Sequence, residues 1–228
     1  MKKKVVLSTA VVTFFLALLI TLYPLISTAY NRQHQSQIHL QHQEQVEQAA
    51  DQALEAAWEL AEAYNAALVP GVQNLERFTP EQLEAAAEGY NDLLDIAGDG
   101  ILCYVTIPKL DVCLPVYHGT SDAVLELGLG HLLGTSLPIG GSSSHSVITG
   151  HSGLASQQLL SDLDQLEPGD VFYIEVLDKT LAYEVDQIKT VLPYETEDLQ
   201  IIPGQDYCTL VTCTPFGVNT HRLLVRGT

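Results

Sequence analysis

From Ile101 onward the chain is written in short runs of β-type residues, each closed by Gly, Pro, Asp or Ser. Residues 102–107, 113–117, 146–149, 171–176, 181–190, 207–212 and 221–225 are the strand candidates. They carry the branched and aromatic side chains that suit a pleated surface. Pro168-Gly169-Asp170 is a turn signal placed just before one of them. Residues 121–127 and 157–163 read as short helices between strands. Seven or eight short strands within about 125 residues predict a closed or nearly closed β-barrel, because closure removes sheet edges.

The first hundred residues follow a different pattern. Lys2, Lys3 and Lys4 precede an almost uncharged run from Val5 to about Tyr30, and the first acid is Glu44. About 20 apolar residues cross a bilayer core, so the stretch from Val5 to Ile26 is long enough for a single span. The basic cluster before it predicts an N-in, C-out orientation in the cell membrane, with the rest of the chain outside. A cleaved signal peptide, cut at Ser27-Thr28-Ala29, is the rival reading, although its apolar core is usually about 7–15 residues. Residues 31–68 hold Gln, Glu and Ala with no Gly or Pro, which predicts one long helix or two. Val46, Ala49, Ala50, Leu54, Ala57, Leu60, Ala61 and Tyr64 make its apolar stripe. Pro70 and Gly71 break it, and Thr79-Pro80-Glu81 reads as the start of a second helix reaching about Leu94. The expected organisation is therefore a cytoplasmic tip and anchor (1–30), a helical arm (31–100) and a β-barrel domain (101–228).

From Gln33 on, 28 acidic residues face six basic ones, a net −22. That balance argues against nucleic acid or anionic lipid as a partner of the exported part. It is compatible with a lysine-bearing protein substrate and equally with plain solubility. Four cysteines (Cys103, Cys113, Cys208, Cys213) in an exported chain permit disulfides, and no zinc-type spacing is present. Cys208 and Cys213 are an odd number of residues apart on one strand, so they face opposite ways and do not pair with each other. Cys103 and Cys113 either bridge neighbouring strands or stay as buried thiols.

A thiol acyl transferase needs a nucleophilic cysteine, a group that protonates the leaving amine, and a donor for the developing oxyanion. Cys213, His151 and Arg222 match these roles in order. Cys213 ends the apolar run Thr209-Leu210-Val211-Thr212 and is followed by Thr214-Pro215. His151 closes Val147-Ile148-Thr149-Gly150, and Arg222 begins the last strand. On spacing alone the same residues also read as a buried thiol, a loop histidine and a surface charge. His118, His131 and His221 suit structural hydrogen bonding, and His145 is expected to be exposed in the Ser-rich turn that it follows.

Thr209-Leu210-Val211-Thr212-Cys213 resembles the TLxTC motif of sortases, and Asn219 to Gly227 resembles the end of their barrel. Ile107-Pro108-Lys109-Leu110-Asp111, Pro115-Val116-Tyr117-His118-Gly119-Thr120, Gly130-His131-Leu132-Leu133-Gly134-Thr135 and Thr149-Gly150-His151-Ser152-Gly153-Leu154 are similar to runs of class C, the pilin-polymerising sortases. The resemblance covers about residues 85 to 227. It implies a mainly β fold, an eight-stranded sortase barrel with short helices, preceded here by the helical arm and transmembrane helix. It implies a catalytic set of Cys213, His151 and Arg222, and no cofactor or metal. Cys213 would open the Thr–Gly bond of an LPxTG-type sorting signal and pass the acyl group, as a thioester, to a lysine amine of a pilin subunit. Two other readings stay open, a sortase that joins surface proteins to peptidoglycan and a non-enzymatic surface scaffold.

The sequence departs from class C in two places. Members of that class resemble one another in an Asp-Pro-Trp or Asp-Pro-Phe lid, which is absent. Its nearest counterpart is Glu76-Arg77-Phe78, within a lid segment at about 69–80. There Glu76 is expected to pair with Arg222 while Phe78 covers Cys213, or Phe78 merely anchors the loop. Many class C members also continue past the last strand into a hydrophobic segment. This sequence stops at Thr228, so either one anchor serves or the chain continues.

Overall fold

The computed structural model describes residues 2–68, 89–152 and 159–228, without the side chains at 2–10, 24, 25, 28 and 32. Among the described residues eight strands close into a barrel. They are β1 (Ile101–Ile107), β2 (Val112–His118), β3 (Leu129–His131), β4 (Ser144–Thr149), β5 (Val171–Val176), β6 (Lys179–Val191), β7 (Asp206–Thr214) and β8 (His221–Gly227). Their order around the barrel is β1-β2-β3-β4-β7-β8-β6-β5, and β5 pairs back onto β1. The β2–β3 and β4–β7 pairs are parallel and the others antiparallel. The seven expected strands are all present, within two residues at each end. The eighth, β3, has three residues and too little length to show an alternating pattern. A Cβ on its Gly130 would meet the Gly119 carbonyl oxygen at 2.3 Å, so glycine is what lets these backbones approach.

Alternate residues fill the barrel. Val105, Ile148, Phe172, Ile174, Leu210 and Val225 are wholly buried in it. Each large apolar side chain removed from water contributes about 1.5–3 kcal/mol. The expected helix at 121–127 forms as α3 (Asp122–Leu127), capped where Ser121 Oγ accepts from the Val124 N–H at 3.4 Å. The helix expected at 157–163 is corrected over its described part. Residues 159–162 make turns, and the helical geometry is a 3₁₀ turn at Leu163–Gln165.

The arm is two helices, α1 (Lys2–Glu47) and α2 (Asp51–Ala67). The expected span from Val5 to Ile26 lies in the first half of α1, where Val11, Phe14, Phe15, Leu19, Ile20 and Ile26 are exposed. Among the described residues no helix is long and apolar enough to cross a membrane. The arm's apolar stripe lies largely where it was expected. Val46 and Ala61 are buried and Tyr64 packs on the core, whereas Leu60 is 60% exposed. Trp58 joins the packed side, its Nε1–H bonded to Asp178 at 3.0 Å and its ring 3.8 Å from the Lys179 ammonium. Asn65 clamps the backbone of Leu137, accepting from its N–H at 2.7 Å and donating to its carbonyl at 3.1 Å. The helix expected to end near Leu94 ends differently. Tyr90–Asp92 is a 3₁₀ turn, Leu93 is extended and Leu94 lies in the left-handed region at φ 64°. The earlier part of that helix, 79–88, lies outside the described residues.

Candidate active site

β7 runs between β4 on one side and β8 on the other. Its antiparallel register with β8 sets Cys213 directly opposite Arg222. Its parallel register with β4 ends at Thr149↔Val211. Two hydrogen bonds carry that alignment further: the Gly150 N–H donates to Val211 O at 3.1 Å, and Thr212 Oγ1 donates to Gly150 O at 2.8 Å. Cys213 and Arg222 are thus direct neighbours on adjacent strands, which are about 4.8 Å apart, and His151 follows two residues after the end of β4 on the other side of β7.

The face follows from parity. Cys208 and Leu210 point into the barrel core, whereas Val211 joins Val147, Leu199 and Leu224 in a separate cluster on the outer face. Cys213 has the parity of Val211 and Arg222 that of Leu224, so both belong to the outer face. A groove of about 260 Å³ runs over this cluster, floored by Val147, Val211 and Leu224 and edged by Arg222, Pro193 and Glu195. Cys213, His151 and Arg222 are each half-buried. The Arg222 guanidinium is steadied from one side by the His221 carbonyl at 3.0 Å and the Asn219 carbonyl at 3.3 Å. Among the described residues no carboxylate pairs with it. The turn leaving Cys213 holds Phe216 and Val218 out in solvent. A cis bond joins Thr214 to Pro215, and the Pro215 carbonyl accepts from the N–H groups of Val218 and Asn219.

A Cβ on Gly150 would come within 2.4 Å of Leu129 Cδ2, so the residue before His151 is bare where β4 passes β3. Neither Gly150 nor Thr212 stood out in the sequence as a supporting residue. The parallel β4–β7 pairing that gives them this role has no local signature.

The other histidines of the barrel, His118, His131, His145 and His221, each make a local hydrogen bond. His131 is wholly buried, donates from Nε2 to Ser136 O at 2.8 Å and accepts at Nδ1 from the Tyr90 hydroxyl at 2.7 Å. Burial pushes its pKa down to about 4. His118 Nε2 donates to Leu93 O, and His221 contacts its neighbour Thr220. The expectation for His145 is overturned: it is the second residue of β4 and is fully buried. Its ring lies between the Gln200 carbonyl at 2.9 Å and the Thr209 hydroxyl at 2.7 Å. The Ser-rich turn ends at Ser143, and the chain is already in β4 at Ser144.

All four cysteines are free. In the β1–β2 register Cys103 faces Val116 and Cys113 faces Thr106, so these two have no shared bridge. Burial raises the thiol pKa of Cys103 and of Cys208. Among the described residues no cluster of His, Cys, Asp and Glu could hold a metal ion. Glu76 and Phe78 lie outside the described residues.

Against this geometry the comparisons are specific. The family profile described as "Sortase domain" matches residues 105–228. The crystal structure of sortase C1 from Streptococcus agalactiae is 44% identical, with a TM-score of 0.74, covering 82% of this chain and 95% of that one. The crystal structure of Streptococcus pneumoniae sortase C, described in connection with catalysis and pilin substrate specificity, is 47% identical with a TM-score of 0.71, covering 81% and 91%. A curated sortase A from Streptococcus agalactiae serotype III (strain NEM316) is 29% identical over 126 residues, 54% of this chain and 50% of the relative. The chain therefore spans about half the length of that curated relative.

Proposed function

The chain belongs to the sortase family, in its class C, and we propose that it is a cysteine transpeptidase that joins pilin subunits through Cys213, His151 and Arg222. The observation that carries this reading is the pairing of Cys213 on β7 with Arg222 on β8, with His151 two residues past the end of β4, the strand beside β7. Cys213 attacks the carbonyl carbon of threonine in an LPxTG-type signal, and the Thr–Gly bond breaks to leave a thioester. His151 gives a proton to the departing glycine amine, then takes one from the incoming amine. Arg222, fixed by the two carbonyls on one side, directs its remaining N–H groups to the developing oxyanion or to the substrate backbone. The apolar groove floor of Val147, Val211 and Leu224 suits the aliphatic residues that precede the scissile bond.

The acceptor in this reading is a lysine ε-amine of a second pilin subunit. The acidity of the exported part favours approach of such a basic group. Glu76 and Phe78 act as the lid, Glu76 toward Arg222 and Phe78 over the thiol. The exposed apolar residues of α1 and the three preceding lysines support a single-pass anchor in the cell membrane, N-in, with the barrel outside. The domain limits 1–30, 31–100 and 101–228 follow that division of labour.

The test mixes the enzyme with a pilin bearing an LPxTG-type tail and a second pilin domain offering lysines. The expected product is an amide between the tail threonine and a lysine, located by peptide mass spectrometry. Transfer only to added glycine amines would move the reading to peptidoglycan attachment, and products made equally well by Cys213→Ala would remove the enzymatic reading.

A further inference from the structure

A thiol–imidazole–carboxylate arrangement sits where the arm meets the barrel, on different strands from Cys213 and Arg222. His39 on α1 reaches two partners at once. Its Nδ1 is 3.6 Å from Cys113 Sγ on β2, and its Nε2 is 3.0 Å from Glu175 Oε2 on β5. Glu175 is itself held, accepting from Thr106 Oγ1 at 2.9 Å and from Gln43 Nε2 at 3.4 Å. Because Nε2 gives its proton to the carboxylate, Nδ1 is free either to accept from the Cys113 S–H or to donate to its thiolate. Moving the proton from sulfur to Nδ1 makes an imidazolium lying between two anions, and Glu175 stabilises that form. The His39 pKa agrees, raised to about 9 by the bond to Cys113 first and by Glu175 second.

A hollow of about 410 Å³ adjoins this cluster, lined by His39, Gln43, Glu175 and Tyr104 among others. Tyr104 lies against His39, ring centroids 4.3 Å apart, and its buried hydroxyl has no hydrogen-bond partner among the described residues. An unsatisfied buried hydroxyl beside a half-buried thiol is what a small polar ligand would complete. Nothing in the acyl-transfer chemistry at Cys213 calls on any of these groups.

We propose that Cys113 is a second reactive thiol, activated by His39 and Glu175, that is modified by small disulfides entering the hollow beneath the arm. In the reaction the Cys113 thiolate attacks one sulfur of the disulfide, the S–S bond breaks and a thiolate leaves. The product is a mixed disulfide on Cys113, with no net oxidant beyond the disulfide itself. The leaving thiolate takes up the proton that His39 held. Small disulfides belong to the oxidising side of a membrane, where the anchor reading also places this domain.

The experiment uses the full-length chain in detergent as Cys213→Ala, which removes the other outward-facing thiol, with dithiodipyridine as a neutral disulfide probe. One equivalent should react, and none in the Cys213→Ala/Cys113→Ser double variant. The pH profile decides the mechanism, because a low thiol pKa raises the thiolate fraction but lowers nucleophilicity. An ordinary thiol with a pKa of about 8.5 slows roughly 75-fold between pH 8 and pH 6. Cys113, with its thiol beside the His39 ring, should slow markedly less, and His39→Gln should restore the steep fall. A steep profile with His39 in place, or a profile untouched by His39→Gln, would overturn the proposal, as would no reaction at Cys113.

Discussion

Cys208 and Cys213 share a strand and differ in the face they occupy. Cys208 points into the core, where desolvation holds its thiol protonated, while Cys213 lies level with Arg222 on the outer face. One residue of parity separates a packing thiol from a candidate nucleophile, and that parity was already legible in the odd spacing. His131 shows the same dependence on surroundings. Its neutral ring donates to a carbonyl and accepts from a hydroxyl, a pattern that a second ring proton would break. Its folded pKa of about 4 lies below the unfolded value near 6.5, so its contribution is complete above pH 6.5 and is lost as pH falls toward 4. The size is on the order of 3 kcal/mol. Urea midpoints followed from pH 7 to pH 4 should fall more steeply for the native chain than for His131→Gln. Parallel slopes would show that the ring carries no such penalty.

The β4–β7 pair is the element on which the site depends, since His151 follows the end of β4 beside the strand that carries Cys213. Gly150 and Thr212 hold that pair together one step past its last ladder contact. Gly150→Ala should cost about 1–3 kcal/mol of stability, the usual range for overpacking, because the new methyl meets Leu129. It should also slow acylation of Cys213 by an LPxTG-type peptide about 10-fold or more, a misplacement cost of the kind described for positioned groups. Unchanged midpoint and unchanged rate together would mean that β3 yields freely and the alignment does not rest on this contact. The seven longer strands were legible in their β-rich runs and turn residues. β3 and the parallel pairing were not, because a three-residue strand has no period and partner choice is a long-range property. In the arm, the helical period and its phase were both largely right: Val46, Ala49, Leu54, Ala57, Ala61 and Tyr64 are buried or half-buried, and only Ala50 and Leu60 are exposed. Ala, Gln and Glu weakly specify a face, so Trp58 and Asn65 rather than Leu60 set which side meets the barrel.

At the scale of the molecule, an acidic barrel stands on a helical arm whose docking residues are polar as well as apolar. His42 pairs with Asp99 at 2.9 Å and His39 with Glu175, so α1 is fixed by charge-assisted bonds near its C-terminal half. The anchor was legible as composition, and its membrane role remains part of the proposal. The whole chain carries a formal charge of −18. Steering of a basic acceptor by such a field weakens as the Debye length shrinks from about 10 Å at 0.1 M salt to about 3 Å at 1 M. The KM for a lysine-rich pilin acceptor should therefore rise several-fold over that range while kcat stays nearly constant. A KM indifferent to salt would show that the acidity serves solubility alone.

The central claim is that Cys213 carries the acyl group, and intact-mass analysis of the enzyme quenched during turnover of an LPxTG-type peptide tests it most directly. Peptide mapping should place a hydroxylamine-sensitive acyl adduct on Cys213, lost in Cys213→Ala and scarce in His151→Ala and Arg222→Ala. An adduct mapped to another cysteine, or product formed with no thioester on Cys213, would contradict the account.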